Sequence, residues 1–317
     1  MPGDKDNNYI MCPGHIRPIV GLDFSDETPD GVFLLSASQD KTAMLRDGVT
    51  GDWIGSFLGH KGAVTCCRIN KTGTIAVTGS SDYTCKVWDA TKGNCLYTYE
   101  DKHIIRSVDI NKSNTQISIA GRSNKLDIYN IYIPSSPLCS FQFPEDPRGV
   151  CKCIFNKVDE KYIYALHMNG ILYCIDITTG KSSQSVNIPQ LLYTHENQTF
   201  DEVLYIKEKY EIKDFVISQD NQLLFVLINK CLCILDNQLT MKHIYDLNFV
   251  PESVSISPDN TKLLLTASTY IYEYTLQDFQ EIHIYKGHSG IVRVTQYHPN
   301  GKIFASASED GCLRLWN

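Results

Sequence analysis

Three histidines in this chain are each followed by a hydroxyl and an aspartate: His15 by Ser36 and Asp40, His60 by Thr78 and Asp82, His288 by Ser306 and Asp310. Hydroxyl, imidazole and carboxylate are the parts of a nucleophilic acyl-transfer centre, in which the imidazole takes the hydroxyl proton and the carboxylate orients the ring. A catalytic centre does not need three copies. The same groups also complete a closed hydrogen-bond network. A buried imidazole needs a partner at each nitrogen, which the aspartate and the hydroxyl can supply, and an indole N–H can give to the hydroxyl. Trp88 and Trp316 stand where that indole is wanted. The three sets therefore read as structural. In the first of them Arg46 holds the tryptophan position; its guanidinium either replaces the indole donor or turns out to a surface.

No G-x-x-x-x-G-K, H-E-x-x-H or G-x-S-x-G string is present, so neither enzyme activity nor a cofactor is expected. Cys151/Cys153 and Cys231/Cys233 are close pairs, but zinc needs wider spacing and a convergent partner pair, and no metal site is expected. Most other cysteines stand singly in strand-like runs, which suits reduced thiols in the cytoplasm, with the nucleus as a second compartment. The chain carries 29 basic and 36 acidic residues, a net charge of −7. That balance disfavours tight direct binding of nucleic acid and suits protein partners in a multi-subunit complex. No apolar run is long enough for a membrane span, and the opening residues lack a basic-then-apolar leader.

The elements that must position these groups recur with a period of about forty residues. Stretches from Gly14, Gly59 and Gly287 each read Gly-His, an alternating strand, a turn, a small-residue strand, an Asp turn, then a strand closing on Trp-Asp or a variant. This resembles WD repeats, with four short strands to each propeller blade. The resemblance implies an all-β, seven-bladed WD-repeat β-propeller that takes residues 1–317 as one domain and stays monomeric. The inner strands begin near Ile19, Val64, Ile105, Val150, Ile212, Pro251 and Val292. Blade seven is one strand short, and Tyr9–Cys12 would supply it, closing the ring and removing an exposed edge. Blade three keeps only His103 of its Gly-His pair. Blades four to six keep the strand pattern and echoes such as Asp176 and Asp236.

Two features point to a partner surface. Residues 189–211 form an insertion between blades four and five, expected to emerge as a flap carrying Leu191, Leu192 and Tyr193. Arg17, Lys61, Arg106 and Arg293 each stand near the start of an inner strand, where basic groups around a channel would attract acidic partner segments.

Within the WD class, "LRDGVTGDWIGSFLGHKGAV" from Leu45 to Val64 is similar to the serine-threonine kinase receptor-associated (unr-interacting) family. That family also has Leu-Arg in its first repeat and a stretch like Thr50 to Gly55 after it. Val87-Trp88-Asp89-Ala90, Asp101-Lys102-His103-Ile104 and the closing "SEDGCLRLW" add to the likeness. The resemblance implies a scaffold in the SMN-type complex that assembles small nuclear ribonucleoproteins for mRNA splicing, or a signalling adaptor of receptor kinases. It also implies an acidic segment after the last blade, and the sequence here ends at Asn317. The alternative is the i subunit of eukaryotic translation initiation factor 3.

Overall fold

The structure is a computed structural model that describes residues 8–133, 136–195 and 210–317. Seven four-stranded antiparallel sheets make the blades of a propeller. Strand β1 (Tyr9–Cys12) precedes blade one, which comprises β2 (Ile19–Phe24), β3 (Phe33–Ser38), β4 (Ala43–Asp47) and β5 (Trp53–Phe57). Blade two has β6 (Val64–Ile69), β7 (Ile75–Ser80), β8 (Thr84–Asp89) and β9 (Cys95–Glu100). Blade three has β10 (Ile105–Ile110), β11 (Gln116–Gly121), β12 (Lys125–Asn130) and β13 (Cys139–Gln142). Blade four has β14 (Val150–Phe155), β15 (Tyr162–His167), β16 (Ile171–Asp176) and β17 (Lys181–Asn187), followed by helix α1 (Ile188–His195). Blade five has β18 (Ile212–Ile217), β19 (Leu223–Ile228), β20 (Cys231–Asp236) and β21 (Met241–Asp246). Blade six has β22 (Ser253–Ile256), β23 (Lys262–Ala267), β24 (Tyr270–Thr275) and β25 (Glu281–Lys286). Blade seven has β26 (Val292–Tyr297), β27 (Phe304–Ser308) and β28 (Leu313–Trp316).

Its fourth strand is β1. Tyr9 pairs with Trp316 and Cys12 with Leu313 in an antiparallel ladder, so the N-terminal segment closes the ring as its position in the sequence implied. Blade boundaries fall within a residue or two of those read from the strand pattern.

The core is divided among the blade interfaces. Leu35, Ala37 and Phe57 of blade one pack on Val64, Cys67 and Trp88 of blade two. Corresponding clusters fill the next interfaces around the ring, ending with Ala305, Ala307, Leu313 and Leu315 against Ile19, Leu22 and Leu34. Buried alanines at the second strands of blades one, two and seven let neighbouring sheets approach closely.

Each inner strand lacks a ladder partner on its channel side, and side chains of the preceding blade supply acceptors. Asp23 accepts from the Ile69 N–H at 2.9 Å, Asp109 from Phe155 at 2.8 Å, Asp214 from Val254 at 3.1 Å and Ser255 from Tyr297 at 3.1 Å. Burial pushes the Asp23 carboxyl up to about 6, against the pull of Arg68 and the Ile69 N–H. A β-bulge at the second residue of the inner strand shifts the register in blades one to five and in blade seven. It aims Arg106, Lys213 and Arg293 into a central channel of about 450 Å³.

Candidate functional site

The polar networks come first because they decide whether this surface can do chemistry. In blade two, His60 Nδ1 donates to Asp82 Oδ2 at 3.0 Å. Its Nε2 accepts from Thr78 Oγ1 at 2.8 Å, and Trp88 Nε1 donates to that same oxygen at 2.8 Å. Asp82 also accepts from the Lys61 N–H at 2.7 Å and from Thr84 Oγ1 at 2.6 Å. Blade seven repeats the set: His288 lies 2.9 Å from Asp310 and 2.6 Å from Ser306, and Trp316 donates to Ser306 at 2.8 Å. In blade one His15 lies 2.7 Å from Asp40 and 2.9 Å from Ser36.

Ser36, Thr78 and Ser306 are fully buried. No substrate reaches their oxygens, and in two of the three sets an indole already occupies a lone pair. The geometry is that of a brace joining the Gly-His turn to the second strand, the Asp turn and the third strand.

Arg46 corrects both alternatives drawn from the sequence. It is buried, so it does not turn outward, and it does not serve Ser36. Its Nη1 donates to the Gly51 carbonyl at 3.0 Å and its Nη2 to the Pro13 carbonyl. Ser36 instead reaches the Met44 carbonyl at 3.4 Å. The guanidinium is longer than an indole and passes the hydroxyl to reach backbone groups. Arg314 was not singled out from the sequence. It is buried beside His288, donates to Asp310 at 3.1 Å, and lies 5.0 Å from the Tyr9 ring.

Blade three corrects the reading of His103. Asp101 precedes Ile105 by the interval that separates His60 from Val64, and Ser123 takes the place of Asp82. Ser123 Oγ donates to Asp101 at 2.8 Å, so the pair survives with donor and acceptor exchanged. His103 is exposed, with its ring edge-on to Tyr83. Across blades three to six the hydroxyl position holds Ile119, Ala165, Val226 and Leu265. The tryptophan position holds Tyr129, Ile175, Leu235 and Tyr274. Asp176 and Asp236 hold turns, accepting from the N–H groups of Thr178 and Thr240 at 2.8 Å.

Burial lowers the pKa of His15, His60 and His288, the last to about 4, against the opposing pull of each partner aspartate. Burial opposes ionisation of Asp310, but bonds from His288, the Cys312 N–H and Arg314 win and bring it down to about 2. A histidine whose folded pKa lies below its unfolded value of about 6.5 leaves the unfolded state holding more protons between the two values. Stability therefore falls as pH drops from about 6.5 toward 4, and the aspartates extend the loss below that. His288 alone should cost about 2 kcal/mol between about pH 7.5 and 5. Urea midpoints at those two pH values test this; equal midpoints would mean that the imidazoles are not held neutral.

The residues expected to meet partners are placed unevenly. Arg17 and Lys61 are exposed, and neither side chain has an ionic partner among the described residues. Arg106 donates to the Arg148 carbonyl at 2.7 Å. Arg293 is not a free cation as expected: it bridges Glu252 at 2.7 Å and Glu309 at 2.5 Å, both on its own face. Tyr193 is not an exposed flap residue either. Asn187 caps α1 by accepting from the Gln190 N–H at 3.1 Å. The helix then buries Ile188 and Leu192 among Leu172, Phe215 and Ile228. Tyr193 is buried with it, its ring 6.2 Å from Tyr210. Residues 196–209 of the insertion lie outside the described residues. Ile16 at 86%, Leu58 at 70% and Tyr83 at 47% exposure were missed, although Ile16 and Leu58 flank the Gly-His turns directly. Among the described residues no group of three or more His, Cys, Asp or Glu is placed to hold a metal ion, and no helix is long and apolar enough to cross a membrane.

Seven four-stranded blades, three of them braced by His–hydroxyl–Asp networks and two of these completed by a tryptophan, define a WD-repeat propeller, and the WD domain, G-beta repeat family matches residues 51–89 and 279–317. Over nearly its whole length the chain is similar to serine-threonine kinase receptor-associated proteins. It is 32% identical to that of Gallus gallus over 97% of this chain and 81% of the relative. It is 30% identical to that of Dictyostelium discoideum over 97% of this chain and 98% of the relative. The chain belongs to this family. Subunit I of eukaryotic translation initiation factor 3 from Meyerozyma guilliermondii is more distant, at 24% identity over 95% of this chain and 90% of the relative.

Proposed function

We propose that this protein is a non-catalytic scaffold that docks protein partners on the face bearing its Gly-His turns. The observation that carries this reading is the grouping of exposed Ile16, Leu58 and Tyr83 with the unpaired cations Arg17 and Lys61 on the turns of that face. Apolar groups rimmed by charge are the makeup of a protein-binding surface. The hydroxyl–His–Asp sets are spent on bracing, which leaves the rim to do the work of recognition. Partners of acidic character fit Arg17 and Lys61.

Within that role we favour a place in assembling ribonucleoproteins for mRNA splicing, on the family likeness from Leu45 to Val64. RNA is then held by the partners, because a chain of net charge −7 lacks the basic footprint that phosphates require. The name borne by the relatives supports a second reading, association with receptor serine-threonine kinases.

Affinity capture from native lysate tests both. Recovery of Sm-class proteins supports the first reading and recovery of receptor kinases the second. Recovery of translation-initiation subunits alone would overturn both in favour of the initiation-factor relative. The double reversal Arg17→Glu/Lys61→Glu should cut recovery by about tenfold while moving stability by no more than about 0.5 kcal/mol. Full recovery by that variant would place the partner surface elsewhere. Arg293 is a poor test residue, because reversing it sets a third carboxylate against Glu252 and Glu309.

A further inference from the structure

Inner strands run from the Gly-His face to the opposite face, and the turns that follow them are fixed by buried polar side chains. Asn70 Oδ1 accepts from the N–H groups of Thr74 at 2.8 Å and Ile75 at 2.9 Å. Asn111 Oδ1 does the same for Thr115 at 2.9 Å and Gln116 at 2.8 Å. In blade four Asn156 Oδ1 accepts from Val158 at 2.9 Å and Asp159 at 2.8 Å. The residues that follow these asparagines are Lys71, Lys112 and Lys157, and all three line the channel. Three consecutive blades thus present a lysine from the same position, directly after a buried asparagine that pins the turn, across its far side in blades two and three and within its first residues in blade four. The corresponding residues of the other blades are Asp26, Gln219, Pro258 and Pro299.

These cations are poorly compensated. Lys112 is exposed and has no ionic partner among the described residues. Lys71 meets Asp26 at 3.0 Å, but both groups are about half exposed, and such pairs hold weakly. Among the described residues, Lys157 Nζ reaches neutral acceptors alone, the Ile217 carbonyl at 2.9 Å and Gln219 Oε1 at 3.3 Å. Burial lowers its pKa to about 8; Asp109 opposes the shift, while Arg68 and Lys71 add to it. Carboxylates around them have other duties. Glu160 accepts from Asn111 Nδ2 at 2.8 Å and Ser113 Oγ at 2.6 Å, Asp109 is held by Arg68 at 3.1 Å, Asp23 accepts from the Ile69 N–H at 2.9 Å and Asp220 from Ser218 Oγ at 2.6 Å. A crescent of positive charge therefore sits at one mouth of the channel of an acidic protein.

We propose that this crescent, Lys71, Lys112 and Lys157, docks an extended acidic segment of a partner protein, a run of Asp and Glu laid across blades two to four. Cations repeated at one position of successive blades suit an extended chain that offers a carboxylate to each. A channel of about 450 Å³ admits side chains and not a folded domain. Its aromatic lining residues, Phe24 and Phe155, are buried, so no ring platform is offered to the bases of single-stranded RNA. The proposal stands apart from the Gly-His face, because the two surfaces lie at opposite ends of the inner strands.

The test is fluorescence anisotropy with a dye-labelled peptide of about ten glutamates, with a single-stranded RNA of similar charge and inorganic pyrophosphate as competitors, at low and near-physiological salt. The full chain should bind the peptide, and more weakly as salt rises. Lys71→Glu/Lys112→Glu should weaken binding by about tenfold or more with an unchanged melting curve, since both side chains are at the surface. Lys112→Glu alone should weaken it by less, and Arg17→Glu/Lys61→Glu should leave it intact. Peptide binding that survives the Lys71/Lys112 reversal would overturn the proposal. So would loss of binding only on reversing Arg17 and Lys61, or preferential capture of the RNA or of pyrophosphate over the peptide.

Discussion

Trp88→Ala should lower the unfolding free energy by about 3–5 kcal/mol, among the largest effects of any single substitution in this chain. The indole is 1% exposed and packs in the cluster shared by blades one and two. Its ring lies 5.4 Å from Phe57 and 6.1 Å from His60. Removing it empties the volume between two sheets and also strips Thr78 of the donor at 2.8 Å. Trp88→Phe keeps most of the volume and loses the donor, so it should cost about 1–3 kcal/mol. Trp53→Ala is the control. That indole is 60% exposed on β5, and its loss should change stability by no more than about 0.5 kcal/mol. Urea denaturation followed by far-ultraviolet circular dichroism gives all three values. If Trp88→Ala unfolds at the same midpoint as the parent, the indole is not the plate between the blades.

The same physics explains which blades could be read from the sequence. Where the histidine is kept, its hydroxyl and aspartate partners are kept with it, because a buried imidazole left half satisfied costs more than an apolar core. Blades one, two and seven therefore carry their His, hydroxyl and Asp together, and these residues announce the fold. Blades three to six have lost histidine and hydroxyl together, with Ile119, Ala165, Val226 and Leu265 filling the vacated sites. What remains visible there is strand alternation, which places Ile212–Ile217 and Leu223–Ile228 correctly. It cannot show that Asp101 and Ser123 have exchanged roles.

Side-chain destinations were harder to read than positions. Arg46 could be seen to break the pattern, but its acceptors are the carbonyls of Pro13 and Gly51, and no string of letters marks a carbonyl as vacant. Arg293 reads as a free cation until the ring closes and brings Glu252 from blade six beside it. Tyr193 lies in a segment that looks like a loop by its polar remainder. Asn187 and Pro189 start a helix there, and Leu192 draws it onto the core. The lysine crescent was missed because Lys71, Lys112 and Lys157 are far apart in sequence and are aligned only by matching the asparagine before each of them.

Deleting residues 1–13 should be more damaging still, at about 4–6 kcal/mol of a total that for a domain is about 5–15 kcal/mol. The deletion removes the whole ladder between β1 and β28, from Tyr9↔Trp316 to Cys12↔Leu313. Cys12, buried among Leu313 and Leu315, leaves a void at the junction of blades seven and one. The Tyr9 ring, 4.9 Å from the Trp316 ring, no longer covers the network of blade seven. Arg46 loses the Pro13 carbonyl while still enclosed, and a buried donor without an acceptor costs about 1–3 kcal/mol by itself. The β28 edge becomes a row of unpaired backbone groups, a template for pairing with a second chain. The expected result is a sharp drop in melting temperature together with concentration-dependent association, read by differential scanning fluorimetry and by light scattering on a sizing column. Removing only residues 1–7 spares every residue of β1, so it separates loss of the strand from loss of what precedes it. A protein lacking residues 1–13 that melts with the parent and stays monomeric would mean that β28 needs no partner and that the ring is held by its inter-blade core alone.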